Sequence, residues 1–155
     1  MAEARIVRSA EGDEVAGVPW LFKAIGDNTG GHFDFMVGEV AYLSGPPLHV
    51  HAEQDDSFFV LEGVLAIQVG DEVFDVGPGD FATVPPGVPH TFDNVRADQG
   101  PVKTVNLMTP GGLHAFFAAR VDAGPDAEPA TVRQLAETYG METVGPTLGE
   151  KLGLA

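Results

Sequence analysis

The chain has 155 residues, of which 8 are Lys or Arg and 23 are Asp or Glu, for a formal charge of −15. With 44% hydrophobic residues, 20% charged residues and 10 Phe, the composition supports a buried core and excludes disorder over most of the chain. The acidic surplus with no Lys/Arg cluster excludes nucleic-acid and membrane-surface binding, and the lack of Cys excludes disulfides, thiolate metal sites, iron–sulfur clusters and a cysteine nucleophile.

Met1 to Arg8 carries charges without a long apolar run, and no segment approaches the length of a membrane-spanning helix, so one soluble, cytoplasmic domain is expected. Gly and Pro fall between short runs rich in Val, Phe, Ile and Thr, which is the punctuation of an all-β chain. Strands are predicted at Val18–Phe22, Phe33–Leu43, Asp56–Leu61, Val64–Val69, Glu72–Val76, Phe81–Val84, Thr91–Asn94 and Val102–Met108. Many short strands in one chain imply a sandwich or barrel. Gly70-Asp71 between two of them suits a type II′ hairpin turn. An amino-terminal edge strand, Ile6-Val7 or Val18–Phe22, is a candidate surface for pairing with a second copy. Phe33, Phe35, Phe58, Phe59, Phe81 and Phe92 are assigned to the core.

The texture changes after Met108. Thr109-Pro110-Gly111-Gly112 breaks the pattern, and Leu113, Phe116, Phe117 and Arg120 follow at helical spacing. Residues 122–130 are predicted as an exposed linker and Thr131–Tyr139 as a second helix, with Thr131 and Gln134 as a capping box and Gly140 at C′. Its apolar face, Val132, Leu135, Ala136 and Tyr139, is expected to lie outside the β core. Residues 145–155 carry no strong signal. The predicted organisation is a barrel core at about 18–108, a helical segment at about 112–140 and a tail.

The five His are His32, His49, His51, His90 and His114. His49 and His51 stand two apart, which puts both imidazoles on one face of an extended strand. Alone, such a pair is often just a polar strand face. Asp55, Asp56 and His90, in Pro85-Pro86-Gly87-Val88-Pro89-His90, add the further donors that a first-row divalent ion needs, with positions left open for substrate. His32 and His114 are assigned to the surface or to a cavity lining.

Gly45-Pro46-Pro47-Leu48-His49-Val50-His51, then Asp56, then Gly63 seven residues on, resembles the first cupin motif. Gly79, Pro85, Gly87, His90 and Asn94 match the second in order and spacing. The resemblance implies an all-β, cupin-type jelly-roll barrel with short C-terminal helices. It also implies a metal ion (Fe, Mn, Co, Ni, Cu or Zn) ligated by His49, His51, Asp56 and His90. Gly45 and Gly87 suit tight turns, Gly63 would close a hairpin from Leu61 to Val64, and Asn94 would brace a strand end. The chain departs from the usual cupin pattern at Asp56, where Glu is common. The arm is shorter by roughly 1.5 Å, leaving Asp56 as a direct ligand, an acceptor behind the ligands, or a base, with Asp55 as its rival.

Looser matches resemble small single-domain proteins similar to quercetin 2,3-dioxygenase: Thr29-Gly30-Gly31, Phe58-Phe59-Val60-Leu61-Glu62-Gly63, Thr109-Pro110-Gly111-Gly112 and Leu135 to Gly140. That resemblance implies a metal-dependent dioxygenase on a flavonol-like or other enolisable aromatic, with Asp56 as the catalytic group taking the hydroxyl proton, and a homodimer. The alternatives are a non-oxidative cupin isomerase, lyase or cyclase, and a non-catalytic small-molecule or metal-binding module. A purely structural barrel is a further one.

Overall fold

Burial with a period of two runs through Asp34–Val40 and Val102–Thr109, where every second side chain is interior. Such strands have one face to hide, and two sheets that hide their faces against each other result. The computed structural model describes residues 3–155. Its strands are β1 Asp13–Glu14, β2 Trp20–Ala24, β3 Asp34–Val40, β4 Pro47–His51, β5 Asp55–Glu62, β6 Leu65–Val69, β7 Glu72–Val76, β8 Phe81–Val84, β9 His90–Asp93, β10 Val102–Thr109 and β11 Met141–Thr147. The helices are α1 Leu113–Ala123, α2 Pro129–Thr138 and α3 Leu148–Lys151.

One sheet runs β1-β2-β3-β10-β5-β8 and the other β11-β4-β9-β6-β7. Every strand ladder is antiparallel, and both sheets feed one apolar cluster. Phe58 of the first sheet meets Phe92 of the second with ring centroids 5.0 Å apart, and Trp20 packs on Phe92 at 6.1 Å. This is the expected jelly-roll architecture with short C-terminal helices. Among the described residues no helix is long and apolar enough to cross a membrane.

The β6–β7 hairpin pairs Val69 with Glu72 across Gly70-Asp71, and Gly70 has the φ of +58° that a type II′ turn asks of its first residue. Gly63 closes no hairpin. β5 and β6 lie in different sheets, and the Gln99 side chain satisfies both backbone groups of Val64 (2.9 and 3.0 Å) in place of a partner strand. Gly63, at φ +81°, is where the chain crosses between sheets. Asn94 braces the end of β9, donating to Val40 O and Gly100 O and accepting from Gln99 Nε2.

Other expectations need correction. Phe59 and Phe81 are 41% and 64% exposed, because they stand opposite each other on the outer face of β5 and β8 while Phe58 and Val60 point inward. Within Val18–Phe22 the two-residue β1 pairs with Leu21 and Phe22 and covers that part of the edge, and Ile6-Val7 forms no strand. Helix α2 begins at Pro129 with no side-chain cap, so Thr131 and Gln134 form no capping box. Proline fits that first position because its missing N–H would have no helical partner. Gly140 does terminate α2, at φ +72°. Asp122 and Ala123 belong to α1, so the linker shrinks to residues 124–128. The tail is also structured: β11 pairs with β4, and α3 is capped by Thr147 and Glu150 and buries Leu148 completely.

Gly45 lies against β9, where an added Cβ would sit 1.9 Å from Phe92 O. Backbone cannot yield by that amount, so Gly45→Ala is expected to lower the unfolding free energy in urea by roughly 2–4 kcal/mol. A loss under about 0.5 kcal/mol would show that no such contact exists.

Candidate metal centre

Strand β4 carries Leu48, His49, Val50 and His51, and its alternation turns both imidazoles toward the interior. His49 is in direct register with His90 on β9, so the second sheet contributes three imidazoles with ring centroids 4.6–5.4 Å apart. The loop before His90 is tied to β4 by Gly87 N donating to His51 O at 2.8 Å. Asp56 reaches the same point from β5 in the opposite sheet. Its Oδ2 is 2.9 Å from His90 Nε2 and 3.6 Å from His51 Nε2. The shorter arm therefore spans the gap between sheets. Asp55, the rival, is exposed on the other face, whereas Asp56 is 2% exposed.

One donor atom from each of His49, His51, Asp56 and His90 lies within 4.8 Å of the others. At metal–ligand bonds of about 2.0–2.2 Å, two ligands of one ion stand roughly 3–4.4 Å apart, so small rotations bring the set onto one ion. Hydrogen bonds behind the cluster select the free nitrogens. His49 Nδ1 and His90 Nδ1 each donate to a backbone carbonyl, Pro47 O and Val88 O, both at 2.9 Å, and each Nε2 faces inward. That arrangement is how metal-binding imidazoles are held. His90 Nε2 then meets a carboxylate oxygen, an acceptor facing a second acceptor unless a cation or proton lies between. Buried His51 Nδ1 has no hydrogen-bond partner among the described residues. The residues present fit a bound cation.

Electrostatics agree. Burial pulls the Asp56 carboxyl upward, but the imidazoles of His51 and His90 against it reverse this and hold it well below the usual carboxylate range. Burial likewise favours neutral His90, yet the hydrogen bond and charge of Asp56 raise its pKa above the ordinary 6.5. His49 is pulled down to about 4 by burial and by its imidazole neighbours His90 and His51.

Asn106 on β10 is the member that sequence reasoning missed. Its Nδ2 donates to Asp56 Oδ1 at 2.6 Å and to Ser57 O at 2.9 Å, so one carboxylate oxygen is fixed while the other faces the imidazoles. The signal was the polar Asn106 at an inward position of Val102–Thr109, between Thr104 and Met108. His32 is exposed, and His114 packs edge-on against Phe22 at 5.0 Å, so neither joins the cluster.

The centre opens into a cavity of about 740 Å³ that His49, His51, Asp56 and Asn106 line at its inner end. Trp20, Met108, Leu113, Phe116 and Leu135 supply apolar wall. Leu135, expected outside the β core, thus faces this cavity, because α2 packs on α1 and β11 over its mouth. Helix α1 is held from β3: Asp34, fully buried, accepts from His114 N (2.9 Å), Gly112 N (3.2 Å) and Gly26 N (2.6 Å).

Residues 35–108 match the family model of the cupin domain, a span that includes all four converging side chains. Over 114 residues the chain is 27% identical to quercetin 2,3-dioxygenase of Bacillus subtilis, covering 72% of this chain and 33% of that protein. The chain spans about a third of the length of that relative. Among solved structures, KdgF from Halomonas sp. superposes with a TM-score of 0.60 at 15% identity, over 73% of this chain and 99% of that one. A conserved protein with a double-stranded β-helix domain from Klebsiella pneumoniae gives a TM-score of 0.56 at 22% identity, over 71% of this chain and 93% of that one. At these identities the two structures show the fold.

A cation entering the cluster must displace the proton that His90 carries below its raised pKa, while His49 is already neutral. Binding of Zn²⁺ or Co²⁺ to metal-free protein, followed by calorimetry, should therefore tighten as pH rises from about 5 to 6.5 and release at least about one proton per ion. Affinity independent of pH across that window would contradict the arrangement.

Proposed function

We propose that this chain, a member of the cupin superfamily, is a metal-dependent dioxygenase acting on a flavonol-like or other enolisable aromatic substrate. The observation that carries the reading is the convergence of three imidazoles and one carboxylate at the inner end of a mostly apolar cavity of about 740 Å³. That volume lies within the range of small-molecule sites. Support for the reaction class comes from the similarity to the Bacillus subtilis quercetin 2,3-dioxygenase.

In this reading His49, His51, His90 and Asp56 hold the ion, which when bound supplies a Lewis-acidic charge beside the substrate's oxygens. Trp20, Phe116 and the other apolar walls take the aromatic body and keep bulk water away. Asp56 accepts the hydroxyl proton. Its low-lying carboxyl makes it a weak base, adequate toward a hydroxyl already acidified by the neighbouring cation. Asn106 keeps the carboxylate from turning by holding Oδ1. The resulting enolate is the electron-rich partner for O₂.

A second reading, a non-oxidative isomerase, lyase or cyclase, is favoured by the same Asp56 geometry, because proton removal from an enolisable substrate needs no oxygen. An oxygen electrode separates the two. Metal-loaded protein given 3-hydroxyflavone should consume O₂ and form a ring-cleaved product. Asp56→Asn should slow this by about 10²–10⁴-fold, with elemental analysis run alongside to distinguish loss of the base from loss of the ion. No oxygen uptake with any first-row ion would overturn the dioxygenase reading, and turnover under argon would establish the second.

A further inference from the structure

We infer that Arg120 anchors a carboxylate on the part of the substrate farthest from the metal centre, so that the preferred substrate is an aromatic acid and not a neutral aromatic. The inference rests on the proposed reading of the cavity as a substrate site and names the class of molecule that site takes.

Arg120 lies in the last turn of α1 and, among the described residues, is the one Lys or Arg that lines the cavity. It is exposed, whereas His51, Asp56 and Asn106 are buried, so it stands at the mouth and they at the inner end. Its guanidinium sits 6.0 Å from the centroid of the Phe116 ring, at the outer limit of a cation–π contact. Among the described residues it makes no ion pair or hydrogen bond. Glu142, the other charged lining residue outside the centre, does not pair with it. The donors of Arg120 thus have no partner among the described residues, and Phe116 lies beneath them.

The cavity therefore has two polar ends with an apolar middle. The inner end takes oxygen atoms that bind a cation or give up a proton, and the middle takes a ring. At the outer end a planar fork of N–H donors matches a carboxylate in geometry and charge. Net charge sharpens the point. A chain of charge −15 repels anions at long range, so an anionic ligand can be retained only where a local cation outweighs that field. At the mouth, away from the metal centre, Arg120 is the cation placed to do so. The base of the helix that carries it is pinned by Asp34, which gives the fork a fixed origin.

The test uses the full chain and two probes that differ only at the remote ring, 3-hydroxyflavone and its 4′-carboxylate, with Kd measured by fluorescence titration. The wild-type protein should bind the carboxylate about fivefold or more tightly than the neutral flavonol, and the preference should shrink as NaCl is added. Arg120→Gln should bring the ratio of the two affinities close to one, and Arg120→Lys should restore part of it. Equal affinities in the wild type, or a ratio that survives Arg120→Gln, would overturn the inference. A role of Arg120 confined to the α1 macrodipole would lower the melting temperature of Arg120→Gln without moving the ratio, which also overturns it. Oxygen uptake by the neutral flavonol with no carboxylate preference refutes the anchor alone. A carboxylate preference lost in Arg120→Gln but with no oxygen uptake supports the anchor and refutes the dioxygenase. Failure to bind either probe refutes both.

Discussion

A carboxylate buried between two apolar sheets is the constraint around which this molecule is built. Asp56 sits on a strand whose neighbouring inward positions are Phe58 and Val60, both fully buried, and a lone ionised group there would be prohibitively costly. The chain answers from both sides. Asn106, from the adjacent strand, satisfies one oxygen, and imidazoles from the facing sheet meet the other. Because those imidazoles come from β4 and β9, the relative height of the two sheets and the direct pairing of His49 with His90 are set by the same few atoms. The jelly roll and the cluster are therefore not independent features. A shift of one residue in β4 would turn both His49 and His51 outward and leave the carboxylate without its partners.

The outer half of the molecule depends on a different buried carboxylate. Asp34, at the start of β3, accepts from the backbone N–H groups of Gly26, before β3, and of Gly112 and His114, at the start of α1. Negative charge at a helix N-terminus complements both the unpaired N–H groups and the helix dipole. Helix α1 thereby takes up its place over the open end of the sandwich, and α2 packs on it through Phe116 and Tyr139, whose centroids are 5.8 Å apart. One acid organises the floor of the cavity and another its roof.

The central strands were legible in the sequence because period-two burial is a strong local signal and Gly and Pro mark the turns. The cluster was legible because His49-Val50-His51 and the Pro-rich approach to His90 have fixed spacing. Asp56 was separable from Asp55 by its distance to Gly63 and by its parity with Phe58 and Val60, and the structure keeps that parity. What escaped depends on partners distant in sequence. Asn106 reads as an ordinary strand residue until Asp56, fifty positions away, is set beside it. β11 has no strong alternation and becomes a strand only because β4 offers it an edge. The short helix after it did carry a local mark, Thr147 with Glu150, an S/T-x-x-E pattern of the kind sought and misplaced at Thr131. Phe59 and Phe81 were assigned inward by residue type, and the alternation that places Phe58 in the core necessarily puts Phe59 outside.

The Asp34 anchor has a consequence for how such a protein changes over evolutionary time. Its contacts to α1 are made to main-chain N–H groups and to no α1 side chain. The start of the helix is thus tethered by a part of the polymer that every residue except proline possesses, and this tether does not depend on which side chains the helix displays. Leu113 and Phe116 are committed to the apolar cluster, but the exposed Arg120 can be exchanged to suit a new ligand while that tether keeps its hold. The chemistry at the inner end can stay constant while the mouth is rewritten, a division of labour by which one barrel diversifies without having to refold.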